Sequence, residues 1–494
     1  VNVHRLFADV RREWRLAIAD RVVPLTLMII GLLTLLAILA GDLRTNQRIE
    51  FQETLKRENS LQRRFLESAF AENESIDSAA ASDLTPNEID RQFELQMSAK
   101  SPDLMRYTDG IWWTIFPASP LSSFSMGASG KWPDHYHHEG SSVTQSLSRP
   151  VHSNPLLATI GAFDLTLLVG ALLPLAVIAL TYNVVAMDRE QGRWPLIGLH
   201  ATSISWLVAN RCMVRVGALI AVVIGVTLSG SLIATDGEWN LYSVRNFWVW
   251  TAWMTAYLAF WTLLAICVNS LRLSSSGSGL LLLLCWTFLV IAVPSLVQRE
   301  VNRRFQIPPR SELIAAEERV QRQAEQESEQ VWTEFLRHHP EITLDSENPQ
   351  QEYLLRDVAL NRAIRFRVRE QLESYQQQFL DREAFLERYQ CLSPLLAWRT
   401  ASDQSAGASL RHYLDFANQT SGFHEKYISY FEPFSMSGQE LSHLDIQAIP
   451  RFDADQLQTR LYLPPLLMSA GALFVWTVAV GVFSWWSFRS RANQ

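Results

Sequence analysis

The sequence predicts a mainly α, polytopic membrane protein with six transmembrane helices, an N-terminal interfacial helix and two extracytoplasmic, mostly helical insertions. Three observations predict it. The 494 residues are 48% hydrophobic, yet the mean hydropathy is close to zero, because apolar residues are gathered in blocks long enough to cross a bilayer. Two long charged stretches with helical periodicity separate the first block from the second and the fifth from the sixth. Arginine concentrates in the short segments that would share one side of the membrane.

Residues 1–21 form an amphipathic helix, with Val3, Leu6, Phe7, Val10, Trp14, Ala17 and Ile18 on one face. It either lies among the headgroups of the cytoplasmic leaflet or is a plain charged leader to the first span. Residues 22–41 carry no charge and are the first span. The apolar run exceeds a signal-peptide core and no Ala-x-Ala site closes it, which argues against cleavage.

Residues 42–154 are the first extracytoplasmic insertion. Thr45 to Phe70 is expected to continue as a charged helix, residues 71–90 to be an acidic loop, and Ile111 to Gly130 to pack beside the outer membrane surface.

Residues 155–187 are the second span. Between Leu156 and Ala186 only Asp164 is charged. At about 1.5 Å per residue that run exceeds a hydrocarbon core of about 30 Å. A polar elbow follows, Asp188-Arg189-Glu190-Gln191-Gly192-Arg193-Trp194-Pro195-Leu196, and a short amphipathic piece reaches Trp206. Spans three to five are 207–234, 247–268 and 276–297, with Pro294 near the outer end of the fifth.

Residues 298–462 are the second insertion, in which Glu312 to Arg337 and Glu352 to Gln390 read as long helices. Val368, Leu372, Tyr375, Phe379, Leu386 and Tyr389 line a stripe that fits either a coiled-coil seam or one face of a bundle. Residues 463–488 are the sixth span and 489–494 a tail with Arg489 and Arg491. Five arginines in the N-terminal segment, Arg189 and Arg193 in the elbow and the tail arginines place both termini in the cytoplasm.

The net charge of −7, without a long basic block, gives no case for nucleic-acid binding. The four cysteines are scattered, three of them in or beside spans, so no disulfide is expected.

Asn154-Pro155, Phe163-Asp164, Pro174-Leu175 and the elbow Asp188-Arg189-Glu190-Gln191-Gly192 together resemble the second span and coupling helix of an ABC-2 type (type V) ABC transporter permease. More narrowly, they resemble the subfamily with a large extracytoplasmic domain of unknown function (DUF3526-like). Leu392-Ser393-Pro394 with His412 and Phe416 resembles the same family. Asp188 stands where the family more often has Glu, and Arg193 where a small Thr is usual.

The resemblance implies a bacterial inner-membrane protein and a cytoplasmic coupling helix, 188–206, seated on an ABC ATPase. Asp188, Arg189, Glu190, Gly192, Arg193, Trp194 and Leu196 are its ATPase-coupling residues. Gly127-Ala-Ser-Gly130-Lys131 is too short for a P-loop, so ATP and Mg²⁺ would be bound by separate ATPase subunits, two copies serving a dimer of permeases, identical or paralogous.

Asp164 is the one intramembrane polar candidate, read as a structural anchor paired with an outer arginine in preference to a proton or substrate group. Asp134-His135-Tyr136-His137-His138-Glu139 offers weak metal candidates in His135, His137 and His138, without a distant ligand to complete a set. No catalytic residue and no cofactor of its own is expected.

Three functions follow: a permease subunit that couples ATP hydrolysis to export, a mechanotransmitter that drives a periplasmic partner without transport, or an ATPase-free membrane receptor or scaffold. Lipid is a partner in each.

Overall fold

The computed structural model describes residues 3–70, 98–107, 112–138, 163–193, 204–234, 239–307, 310–340, 342, 349–454 and 457–492. In chain order the helices are α1 (Val3–Ala19), α2 (Val22–Ser68), α3 (Pro102–Tyr107), α4 (Leu165–Leu167), α5 (Leu173–Thr181), α6 (Ala186–Glu190), α7 (Ile204–Ala234), α8 (Leu241–Ser270) and α9 (Ser275–Trp286). They continue as α10 (Val293–Arg304), α11 (Arg310–Gln326), α12 (Ser328–His338), α13 (Pro349–Tyr389), α14 (Pro394–Ser405), α15 (Leu410–Ser437), α16 (His443–Ala448) and α17 (Leu463–Ala492).

Six stretches among the described residues are helical, long and apolar enough to cross a bilayer: Val22–Ser68, Leu165–Glu190, Trp206–Ile233, Leu241–Ser270, Ser275–Arg304 and Leu457–Ser487. They are called spans one to six below.

Span four is the hub. Its Trp250, Met254, Tyr257 and Trp261 are buried at every turn, packed among α5, α7, α14 and α17. Spans one, five and six instead keep a file of large apolar residues exposed, such as Leu32, Leu284 and Phe474, which is what lipid contact requires.

Span one and the charged helix beyond it are one uninterrupted helix, α2, because the apolar run to Ala40 passes into charged sequence without a breaker. At Gly41 the segment 120–125 crosses α2 so closely that a Cβ there would sit 2.0 Å from the Ser123 carbonyl oxygen. That approach lets Leu121 and Phe124 enter the core of the spans.

Among its described residues the first insertion also carries strand. Trp112–Ile115 (β1) and His135–His138 (β2) form an antiparallel ribbon pairing Trp113 with His137 and Thr114 with Tyr136. Arg48 of α2 anchors the ribbon through Asp134 at 2.6 Å.

The second insertion is a bundle in which α15 and α16 pack on the half of α2 beyond Gly41, α13 packs on α15, and α11 and α12 pack on α13. The predicted helix Glu312 to Arg337 is two helices that meet at Glu327. Val368 and Leu372 of α13 are buried within this same chain, so the stripe is a bundle face. Arg365 and Glu432 pair at 2.6 Å between α13 and α15 with little exposure.

Candidate functional site

The second span is not a single helix. Within the described residues it starts at Leu165, capped by Asp164, and contains one π-helical turn, Leu168–Leu172, before α5. The part of the run from 154 to 162 lies outside the described residues.

The π turn has a chemical cause. Pro174 has no N–H, so it cannot serve the Gly170 carbonyl four residues back, and the Leu173 N–H bonds Leu168 O instead. Donors from other spans bond carbonyl oxygens of the turn. Tyr257 Oη–H donates to Gly170 O at 2.7 Å, and Trp286 Nε1–H donates to Ala171 O at 3.0 Å.

Span five repeats the device. A π turn, Thr287–Ala292, precedes Pro294, and the Val293 N–H bonds Phe288 O. The Ser393 hydroxyl donates to Leu289 O at 2.6 Å.

One helix touches both π turns. α14 packs against each of them, and Trp398 on α14 is fully buried. Its indole N–H reaches Thr166 O at 3.0 Å, and its ring lies against Tyr257 and Trp250. Ser393 caps α14 through Leu395 N, so the residue that starts this helix also holds span five. α14 is thus a wedge driven between spans two and five at the ends away from the elbow.

The elbow ends of the same two spans are tied as well. After Thr181 the helix loosens for one turn and re-forms as α6, leaving carbonyls without helical donors. Side chains take them: Arg215 donates to Leu180 O at 2.8 Å, Asn269 to Thr181 O at 3.0 Å and Arg211 to Val184 O at 3.2 Å. Arg211 also pairs with Asp188 at 2.5 Å and with Glu13 of α1 at 3.4 Å, and Arg215 with Asp20 at 3.5 Å. The amphipathic helix, the elbow and span three are therefore joined by one alternating charge cluster.

Glu190 makes the link to span five. Its two carboxylate oxygens accept from the backbone N–H and the hydroxyl of Ser275, at 2.8 and 3.0 Å. Ser275 opens α9, where a carboxylate meets the unsatisfied amides and positive dipole of a helix start. Gly192 ends α6 with φ +70°, a left-handed conformation that glycine takes without strain. Arg189 and Arg193 stand on the same turn. Trp194 and Leu196 lie outside the described residues.

Asp164 takes backbone donors in place of an arginine. Oδ1 accepts from Leu167 N at 2.8 Å, capping the span, and Oδ2 accepts from Met126 N at 2.9 Å, fastening the 120–130 segment. Arg44 and Arg399 act on it only from farther off.

The histidines sit on the ribbon's two faces. His135 and His137 pack on Trp113. His138 is buried on the other face, stacked on His424 of α15. Among the described residues no group of three or more metal-capable side chains converges.

The sequence pointed to the elbow and to Pro174 and Pro294, but not to Tyr257, Trp286, Ser393, Trp398 or Ser275 as their partners. Nothing short-range marks those five. The one legible signal is Ser393-Pro394, a cap followed by proline at the first helical position.

A family model described as a domain of unknown function (DUF3526) matches residues 310–455. The matched stretch runs through the outer bundle and the wedge helix α14 and ends before span six. No curated protein matches the chain. No solved structure matches it.

Proposed function

We propose that the chain is the transmembrane, permease subunit of an ABC-2 type ABC transporter, working in the bacterial inner membrane with both termini in the cytoplasm. A separate ATPase, in two copies for a permease dimer, supplies the hydrolysis. The observation that carries this is the pair of bridges between spans two and five. Glu190 fastens the elbow to the start of span five at one end, and α14 spans both π turns at the other. A push on the elbow is passed to span five at once, and both spans bear on α14, which follows α13 and precedes α15 of the outer bundle along the chain.

The seats for that push are Asp188, Arg189, Glu190, Gly192 and Arg193, with Trp194 and Leu196 as the apolar part of the handle. In the export reading the stroke moves cargo outward. One observation favours mechanotransmission as the second reading: among the described residues spans two and five meet through an apolar cluster that includes Leu175, Ile178, Leu281 and Leu282. In that reading the outer bundle acts on a periplasmic protein.

The test is detergent co-purification followed by ATPase assay. An ABC ATPase should come with the chain and be stimulated by it. Glu190→Ala and Gly192→Val should retain the ATPase but lose most of the stimulation. Full stimulation in both variants, or no ATPase bound to the wild-type chain, counts against the proposal.

A further inference from the structure

A cavity of about 420 Å³ opens where the first insertion, α13 and the wedge helix α14 meet. Lys131 and Trp132 form one wall, Arg382 and Glu383 of α13 a second, and Arg399 and Asp403 of α14 a third. Gln298, just past the apolar part of span five, lines the side toward the spans. Its volume is in the range of small-ligand sites.

The charges are arranged for an anion. Lys131 and Arg399 stand at the exposed rim, and Arg382 is half-buried. Burial first, then repulsion from Arg399 and Arg382, holds the Lys131 ammonium below its ordinary value. An anion placed among them would relieve that repulsion. Arg399 and Asp403 approach only to 3.9 Å, and Arg399 is 63% exposed, so this pair does not neutralise the rim.

Two carboxyls supply the opposite sign. Burial first, then Glu387 and Asp403, pushes Glu383 up to about 7. Burial pushes Asp403 up to about 6 against the pull of Arg399 and the hydroxyl of Ser125, with Asp164 adding to the rise. Glu387 is already committed to a two-point bond with Arg411 of α15. Three cations thus face two acids that lose their charge near neutral pH. A neutral carboxyl can also donate a hydrogen bond to an anion's oxygen. Trp132 and Phe379, edge to face at 4.8 Å, give one side an apolar surface for whatever the anion is attached to.

We propose that this cavity binds a phosphodiester-class anion among Lys131, Arg382 and Arg399, supplied either by a lipid headgroup or by a solute, and that it takes up a proton with the anion. Because the site is built from α13 and α14, its ligand would hold the wedge helix to the outer bundle. This holds whether or not an ATPase drives the elbow.

The test uses the full chain in an uncharged maltoside detergent. Glycerophosphoglycerol, which keeps one charge across the range, is titrated by calorimetry at pH 6 and pH 8, in two buffers of different ionisation enthalpy. In a second arm the chain is placed in phosphatidylcholine nanodiscs doped with phosphatidylglycerol, and retained lipid is identified by native mass spectrometry.

If Glu383 must be neutral, its protonated fraction falls from about 0.9 to about 0.1 between these pH values, so binding weakens about tenfold. Proton uptake should appear as buffer-dependent heat. The Lys131→Gln/Arg399→Gln variant, altered only at the rim, should lose at least about tenfold in affinity at an unchanged thermal midpoint. Glu383→Gln/Asp403→Asn should bind at pH 8 as the wild type does at pH 6. Binding of glycerophosphoglycerol supports a solute source, and retention of phosphatidylglycerol alone supports the headgroup. No binding in either arm at pH 6, or binding that Lys131→Gln/Arg399→Gln leaves unchanged, overturns the proposal.

Discussion

Tyr257→Phe deletes one oxygen and nothing else. In the wild type that hydroxyl donates to Gly170 O at 2.7 Å in a fully buried position. A hydrogen bond between membrane helices is worth about 0.6 kcal/mol on average and up to about 1.7. The low average arises because a released group commonly finds another partner. Gly170 O has no helical alternative, since the residue four positions on is Pro174. The cost should therefore lie near the top of the range, about 1.5 kcal/mol, or roughly a tenfold rise in the unfolding constant.

The control is Pro174→Ala, which restores an N–H facing Gly170 O. In that background Tyr257→Phe should cost only about 0.5 kcal/mol, a coupling of about 1 kcal/mol in the double-mutant cycle. The assay is reversible unfolding of the full chain in mixed micelles by increasing SDS, followed by tryptophan fluorescence. Equal costs in the two backgrounds would refute the claim that proline created the vacancy Tyr257 fills.

Gly41→Ala should destabilise by about 3 kcal/mol or more, because a Cβ would fall 2.0 Å from the backbone oxygen of Ser123 and no side chain can move to relieve it; the same unfolding assay reads this. Glu432→Ala should cost about 3 kcal/mol by removing the paired carboxylate from Arg365, whose side chain is only 11% exposed, while Arg365→Met/Glu432→Leu should recover most of the loss; protease resistance of the bundle is the readout. His412 is pushed down to about 4 by burial, against the upward pull of its hydrogen bonds, in which Ser409 donates to its Nδ1 and its Nε2–H donates to Arg460 O. Its unfolded value is about 6.5, so stability should be intact above that pH and fall as pH drops toward 4, by up to about 3 kcal/mol; melting scans between pH 4.5 and 7.5 should show a smaller fall for His412→Gln.

The spans were legible because each is a long apolar run, and composition over twenty residues outweighs any local ambiguity. α13 was legible for the related reason that its charges and apolar residues alternate at helical period. The ribbon was not. Trp112 to Ile115 and His135 to His138 are each only four residues, and they pair across a gap of nineteen positions that carries no hairpin turn signal. Asp164 was readable as an anchor, but its partners Met126 and Leu167 act through backbone amides, which every residue has. The wedge was invisible for the same reason. Its Trp398 and Ser393 bond the carbonyl oxygens of Thr166 and Leu289, as Tyr257 and Trp286 of the neighbouring spans bond Gly170 and Ala171, and which carbonyl is open to a side chain depends on a helix register that the residue order does not announce. The prolines alone marked where such vacancies would fall.

The unbroken run of α2 from Val22 to Ser68 is about 70 Å of helix on one axis, with about 40 Å of it beyond Gly41. It has no joint at the membrane surface, so the angle of the first span in the lipid is also the angle of the far shaft. A change of tilt by about 10°, well inside what such helices adopt, would swing the distal tip by about 7 Å. Bilayer thickness alone could thus set the stance of everything mounted on that shaft.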